Sequence, residues 1–505
     1  MASKERHPNV VVILSDDQGC WAMGCVARSA PEIRTPNLDR LAATGIRFEN
    51  YFCTSPVCSP ARASLMTGRI PSQHGIHDWL RGGNMDTKND RAIEFLRGMT
   101  AYTDILAKHG YVCGLSGKWH MGDSIRPQKG FTHWFAHQVG GGPYYGAPMI
   151  RDGKPYNEPR YVTDVMTDDA LEFIERQKGQ ERPFYLSVHY TAPHSPWVKS
   201  HPEDIVASYN DCPFNSCPNV PSHPWQIATA PRGMGEQRRE ILKGYFAAVT
   251  AMDTNIGRIL DKLEQMGIRE DTFIFFVSDN GMNMGHHGIY GKGNGTFPLN
   301  MYEESVKVPA IMSHPARMPQ GKIEIGMHSH YDFMPTLLDY LGFENPGAEK
   351  LPGRSFAPLL RGSPRTNELV RGDGMEGRET IVVFEEYGPT RMIRNKQWKY
   401  VHRYCYGPHE LYNLAEDPGE KNNLGDDPAA QGVRESLKAQ LDEFFVRYAD
   451  PALDGSRETV YGTGQLDLAG PAGKGKKAFW VETRFIDEHG RPREVGYCPP
   501  GLKTS

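Results

Sequence analysis

The run "CTSPVCSPARASLMTGR", residues 53–69, sets Cys58 directly before Ser-Pro and Arg62 four residues on. Ser59 reads as a helix N-cap and Pro60 as the first helical residue, with an apolar face running on to Gly68. That spacing puts Cys58 one residue outside a helix mouth, where free N–H groups and the macrodipole favour an anion. Arg62, one turn in, can aim its guanidinium back at the same place and grip a tetrahedral oxyanion. A cysteine nucleophile of lowered pKa is one chemistry such a place supports.

Other polar residues argue for a different one. Asp16 and Asp17 follow one β-branched run, and Asp279 and Asn280 follow another. Lys118 and His120 follow a third run, and His194 a fourth. Taken singly, an aspartate after a strand is most often a turn former or helix cap. Together, three carboxylates and an amide oxygen are hard donors, suited to Ca²⁺ or Mg²⁺ and poor for zinc. Two adjacent aspartates also repel each other unless a cation sits between them. Cysteine enzymes pair the thiol with a histidine and an oxyanion hole, not with a hard cation. Such a cation wants oxygen where Cys58 stands. His286 and His287 offer nitrogen ligands, but neighbouring side chains on a loop rarely aim at one site, and positioning or surface exposure is expected of at least one. Cys212 and Cys217 fit no zinc spacing and read as loop thiols.

The elements that must position these groups alternate. "NVVVIL" (9–14) and "TFIFFVS" (272–278) are short apolar runs, as in strands buried on both faces, and "YVCGLSGKW" (111–119) and "PFYLSVHY" (183–190) read as strands leading into loops. Between them, "TPNLDRLAATG" has Thr35 as N-cap and Gly45 as stop, "DILAKHG" ends at Gly110, and a long periodic stretch from Arg238 to Met266 ends at Gly267. This alternation predicts an α/β fold on a mostly parallel sheet, whose carboxyl edge gathers the polar residues. After about Arg371 the texture becomes an antiparallel meander with one amphipathic helix, "ESLKAQLDEFFVRYAD", and then a loop-rich tail of about fifty residues. We divide the chain into a catalytic domain (1–375) and a smaller α+β domain (376–505).

With 505 residues, 39% hydrophobic and 23% charged, the composition is that of a globular protein. A net charge of −4 excludes a basic nucleic-acid binder, and no stretch approaches the ~20 apolar residues of a membrane span. "VVVIL" is shorter than a signal-peptide core of ~7–15 residues and runs into aspartates. Nine irregularly spaced cysteines do not form a disulfide framework. The expectation is a cytoplasmic protein, unless a leader has been removed.

"CSPAR" resembles the Cys-x-Pro-x-Arg signature of the type I sulfatases, members of the alkaline-phosphatase-like superfamily. "VVVILSDDQG", "TPNLDRLAATGIRFENYF", "GKWHMG", "APHSPW", "VSDNG", "HHGIYGKG", "YEESVKVPAIM" and "ELYNLAEDPGEKNNL" are similar to sulfatase segments in the family's order, from about residue 9 to about 425. Ala61 departs from the second serine of many members. The resemblance implies a large mixed, mostly parallel sheet between helices, and a cysteine oxidised to formylglycine by a maturase. The hydrate of that residue presents the oxygen that a hard cation wants. Asp16, Asp17, Asp279, Asn280 and residue 58 would hold Ca²⁺, or Mg²⁺ in its place. Lys118, with the metal, would polarise sulfate oxygens, and Arg62 would stabilise the hydrate and the developing charge. His194, with Lys292 nearby, would protonate the leaving alcohol. His120 would then deprotonate the second hydroxyl so that sulfate is expelled.

A phosphonate monoester or phosphodiester hydrolase of the same superfamily is the near alternative, against which "SDNG" and "SDDQG" speak. A non-catalytic binder of sulfated ligands is the remote one. For the substrate, "HDWLRGGN" and "QVGGGPYYGAP" supply Trp79 and Tyr144 to stack on a sugar and Arg81 to meet a second anion, although Trp79 reads equally as core and Arg81 as solvated surface. A carbohydrate sulfate is the expected class, with aryl sulfates as surrogates. No membrane or nucleic-acid partner is expected, and a homo-oligomer is compatible with the composition.

Overall fold

Every residue of Asn9–Ser15 is buried, and the run forms strand β1. Val10, Val12 and Leu14 enter one core cluster, and Val11 and Ile13 the other. A strand covered by helices on both faces needs this continuous apolar sequence. In this computed structural model, residues 7–26, 32–85, 91–227, 235–361, 387, 389–404 and 407–480 are described, together with the backbone of 484–486 and 492–494.

Along the chain follow β2 (Ile46–Phe52), β3 (Val112–Lys118), β4 (Phe131–His137), β5 (Ala147–Arg151), β6 (Lys154–Glu158), β7 (Phe184–His189) and β8 (Thr272–Ser278). A small ribbon, β9 (Asn283–Met284) with β10 (Tyr290–Gly291), precedes β11 (Lys307–Ser313) and β12 (Lys322–Ser329). Ten of these form one sheet in the order β12-β2-β11-β8-β1-β7-β3-β4-β5-β6. The central block β8-β1-β7-β3-β4 is parallel throughout. Strand β11 runs antiparallel to both neighbours, and β5 and β6 form an antiparallel edge. The mixed, mostly parallel sheet expected from the sequence is present.

Register decides where the polar residues go. Ser15 of β1 lies opposite Ser278 of β8, Leu14 opposite His189 of β7, and Gly117 of β3 opposite the same His189. The strands therefore end level, and the residues that follow them emerge along one edge.

The long helix Gly235–Gln265 begins slightly ahead of the expected Arg238 and stops before Gly267, whose φ of 68° ends it. The helix Pro36–Ala43 starts where "TPNLDRL" predicts, but the Thr35 side chain does not cap it. Its first free amides, Asn37 N and Leu38 N, donate instead to the Asp253 carboxylate of the long helix, at 3.1 and 2.8 Å.

The C-terminal meander is β13 (Thr390–Arg394), β14 (Trp398–Arg403) and β15 (Glu410–Asn413), all antiparallel. The helix Gln431–Tyr448 packs Leu437, Leu441 and Phe445 against it. The 375/376 boundary and the start of the meander fall outside the described residues. The tail is loop-rich but returns to the main body. Gln465 N donates to Trp79 O at 2.8 Å, Arg81 N to Gln465 O at 2.8 Å, and Gly464 N to Asp78 Oδ2 at 2.9 Å.

Candidate active site

The helix after β2 spans Cys58–Thr67 and is buried along its whole length. Cys58 is its first residue, so the helix starts earlier than the Ser-Pro punctuation indicated. Ser59 is no cap; its Oγ accepts from Leu80 N at 3.0 Å, fixing the chain that leaves the helix. Cys58 thus sits in the first turn rather than outside it.

The level strand ends bring the expected groups together. Asp16, Asp17 and Asp279 are all buried and place carboxylate oxygens within 4.8 Å of one another. Asp17 N donates to Asp279 Oδ1 at 3.2 Å, and Asn280 Nδ2 to Asp17 Oδ1 at 2.8 Å. Cys58 Sγ lies 3.4 Å from Asp16 Oδ1. Arg62, from the next turn of the same helix, donates through Nε to Asp279 Oδ2 at 2.8 Å and through Nη1 to Lys118 O at 3.0 Å. Lys118 Nζ pairs with Asp16 Oδ2, and Lys292 Nζ with Asp17 Oδ1. Lys292 Nζ also lies 2.8 Å from Cys58 Sγ and 3.5 Å from Asn280 Oδ1. Three buried carboxylates therefore face three buried cations, with the Lys292 ammonium lodged among oxygen donors and the sulfur.

This packing shifts the three carboxylates and the thiol. Burial, then the Asp279 charge, raises Asp16 above the usual carboxylate range despite Lys118. Burial would raise Asp17 as well, but Lys292 and then His194 hold it below that range. Arg62, followed by Lys118, outweighs burial at Asp279 and holds it low. Burial, then Asp16, pushes the Cys58 thiol up to about 12. The sulfur is no thiolate at neutral pH, and the lowered-pKa cysteine that a helix mouth invites is not what this site provides.

Two site residues sit in left-handed backbone, Asp17 at φ 64° and His120 at φ 52°. Such conformations cost ~1–3 kcal/mol in a non-glycine residue and persist only where the surroundings impose them. For Asp17 the surroundings include Tyr245 of the long helix, whose hydroxyl donates to Asp17 O and accepts from Gly19 N, each at 3.0 Å. Nothing local in the sequence marks Tyr245.

The histidines are set by the glycine loop. His120 is buried, and its Nε2 meets Leu80 O at 3.1 Å, which leaves Nδ1 as the acceptor. Burial, then Lys118 and Arg62, keeps it well below an ordinary histidine pKa and hence neutral. His194 places Nδ1 2.6 Å from Ser195 O and Nε2 3.7 Å from Asp17 Oδ2. A Cβ at Gly140 would fall 2.1 Å from His120 Cε1, and one at Gly141 2.9 Å from His194 Cε1. The backbone of "GGG" is a strap laid on both rings. The sequence showed a glycine-rich loop without showing what it pressed on.

The substrate-facing expectations divide. Tyr144 is buried, stacked on Tyr161 at 5.5 Å, and its hydroxyl donates to His194 O at 2.7 Å. Its ring offers no platform to a sugar; it braces the His194 segment instead. Trp79 is half-buried against the returning tail and donates to Gly462 O at 3.3 Å, and Arg81 is exposed. Neither His286 nor His287 belongs to the carboxylate cluster, and neither is exposed. His286 packs 5.0 Å from Trp21, and His287 stacks on Tyr302 and meets Glu304 at 2.9 Å. Cys212 and Cys217 are free thiols.

A family model described as "Sulfatase" matches residues 8–343. The chain belongs to the sulfatase family. It is accordingly a sulfuric ester hydrolase, of a family that generally works with a formylglycine and a bound metal ion. A second model, "N-sulphoglucosamine sulphohydrolase, C-terminal", matches residues 285–447 and so takes in β13–β15. This sulfatase is 28% identical to an N-acetylglucosamine-6-O-sulfatase of Bacteroides thetaiotaomicron, over 92% of this chain and 90% of that one. It is 30% identical to the N-acetylgalactosamine-6-sulfatase of Canis lupus familiaris, over 74% of this chain and 70% of that one. Its fold is similar to that of a protein solved with its substrate D-glucosamine-2-N,6-O-disulfate, with TM-score 0.71 and 24% identity, covering 90% of this chain and all of the other.

Proposed function

We propose that this sulfatase hydrolyses the sulfate ester of a carbohydrate, with residue 58 as formylglycine and Ca²⁺ as the metal. The observation that carries the reading is the buried cluster of Asp16, Asp17, Asp279 and Asn280 around Cys58, countered by Arg62, Lys118 and Lys292. The donor set fits a hard divalent cation, since all four ligands offer oxygen. The Lys292 ammonium among Asp17, Asn280 and Cys58 supports the same fit, because a positive charge already rests against these atoms. When present, the cation and the formylglycine hydrate supply an activated oxygen nucleophile and polarise the sulfate.

The chain's own residues do the rest. Arg62 and Lys118 hold sulfate oxygens and the charge that develops on them. His194 delivers a proton to the leaving oxygen from Nε2, with Lys292 close to the same carboxylate, Asp17. His120, kept neutral by burial and two cations, accepts a proton at Nδ1 in the second step. The names of the relatives support a sugar substrate. The test is a panel of defined sulfated mono- and disaccharides, with choline sulfate and an aryl sulfate beside them, read by released sulfate. Turnover of at least one sugar sulfate well above choline sulfate supports the reading, and turnover of choline sulfate alone refutes it.

A further inference from the structure

The tail that returns to the site brings a tryptophan and a lysine up to Arg81. Leu80 is the link. Its amide is held by Ser59, beside Cys58, and its carbonyl by His120, so the next residue, Arg81, stands at the rim of the catalytic centre. Arg81 is exposed, and among the described residues no carboxylate lies within ion-pair distance of it. Its guanidinium carbon sits 4.4 Å from the Trp480 ring centroid and 5.8 Å from that of Trp79, and Nη1 donates to Thr463 O at 3.2 Å. Lys477, also exposed, places Nζ 5.5 Å from the same Trp480 ring. Asp467, on the same returning segment, pairs with Arg91 and, at 3.8 Å, with Lys476.

Two cations drawn to one aromatic ring repel each other, and an exposed cation–π contact returns only ~0.5–1 kcal/mol. An anion between or beside them removes that repulsion. The ring covers a face of the Arg81 guanidinium and one N–H is spent on Thr463, which leaves the remaining in-plane donors for a bidentate acceptor. The platform is fixed from both sides, because Trp480 N donates to Gly464 O at 2.9 Å and its carbonyl accepts from Thr463 at 2.6 Å. Gly464 permits the approach: a Cβ there would lie 2.7 Å from Arg81 Cβ.

We propose that Arg81, Trp480 and Lys477 form a subsite for a second anionic group on the substrate, a carboxylate or a further sulfate on the sugar. This rests on the carbohydrate-sulfate reading above. The test compares wild type, Arg81→Ala, Arg81→Lys, Lys477→Ala and Trp480→Phe on three substrates. These are a monosulfated neutral sugar, a monosulfated disaccharide bearing a uronate, and a disulfated sugar. For Arg81→Ala, KM for a doubly anionic substrate should rise about ten-fold relative to KM for the neutral sugar sulfate, a modest factor for a solvent-exposed site. Arg81→Lys should recover part of that, Lys477→Ala should show a smaller rise, and Trp480→Phe should retain most of the preference. Added salt should shrink the wild-type preference. Selectivity confined to the uronate substrate, or to the disulfated one, identifies which anion the subsite takes. Equal KM changes on all three substrates, or none, overturn the proposal while leaving the sugar reading intact. A wild type that cleaves aryl sulfate but no sugar sulfate overturns both.

Discussion

A single methyl group at Gly140 tests whether the glycine strap sets His120. A Cβ there would stand 2.1 Å from Cε1 and 2.3 Å from Nε2 of the ring. Unstrained carbon contacts begin near ~3.5 Å, so ring or strap must move by more than about 1 Å. Gly140 does not have a left-handed φ, so alanine adds no backbone strain and the effect isolates the contact. Displacements of ~1 Å in a catalytic group cost about 10²-fold. With His120 in the role proposed for it, after the alcohol has left, the loss should fall on steady-state turnover and spare the first release of alcohol. Rapid-quench measurement of nitrophenol from nitrophenyl sulfate separates the two, with thermal unfolding as the control for folding. Gly141→Ala, with its milder 2.9 Å approach to His194, should cost less. A Gly140→Ala steady-state rate within about two-fold of wild type would refute the strap. Equal slowing of burst and steady state would show that it does not act through His120.

Three further outcomes follow from the site. Asp17→Ala should abolish activity by more than the ~10–100-fold typical of an outer-shell partner, and calcium should restore chelated wild type but not the variant; full activity in metal-free protein contradicts the oxygen-ligand reading. His194→Ala should slow a sugar sulfate by ~10²–10⁴-fold and an activated aryl sulfate far less, because only the sugar alkoxide needs the proton; equal losses on both would reverse the roles given to His194 and His120. Because burial, then Lys118 and Arg62, lowers the His120 pKa, its base form survives as pH falls below an ordinary histidine's range. Its acid limb in kcat should therefore lie below pH ~6.5, and a limb at or above that value that vanishes in His120→Ala would be contrary evidence.

The residues legible in the sequence were those whose neighbours announce them. Asp16, Asp17, Asp279 and Asn280 each follow an apolar strand run, and level strand ends do the gathering. Cys58 and Arg62 share one short helix whose expected start was off by two residues, because Ser59 spends its hydroxyl on Leu80 rather than on capping. What could not be read depends on contacts distant along the chain. Tyr144 read as a ring for a sugar to stack on, yet its hydroxyl is drawn inward by the His194 carbonyl. Asp253 caps a helix more than two hundred residues away, and Tyr245 holds the left-handed turn at Asp17. Trp480 reaches Arg81 only because Gln465 pairs with the segment after the Cys58 helix. No periodicity encodes such meetings.

The central claim is that residue 58 presents oxygen rather than sulfur to the substrate. Protein made with and without a formylglycine-generating maturase should be digested, and the mass of the peptide "FENYFCTSPVCSPAR" (48–62) compared with the turnover of each preparation. Activity should follow the fraction of peptide carrying the aldehyde at position 58, and Cys58→Ser should release at most one alcohol per enzyme, because its sulfate ester lacks a second hydroxyl. Sustained turnover by protein whose Cys58 is wholly thiol would contradict that claim.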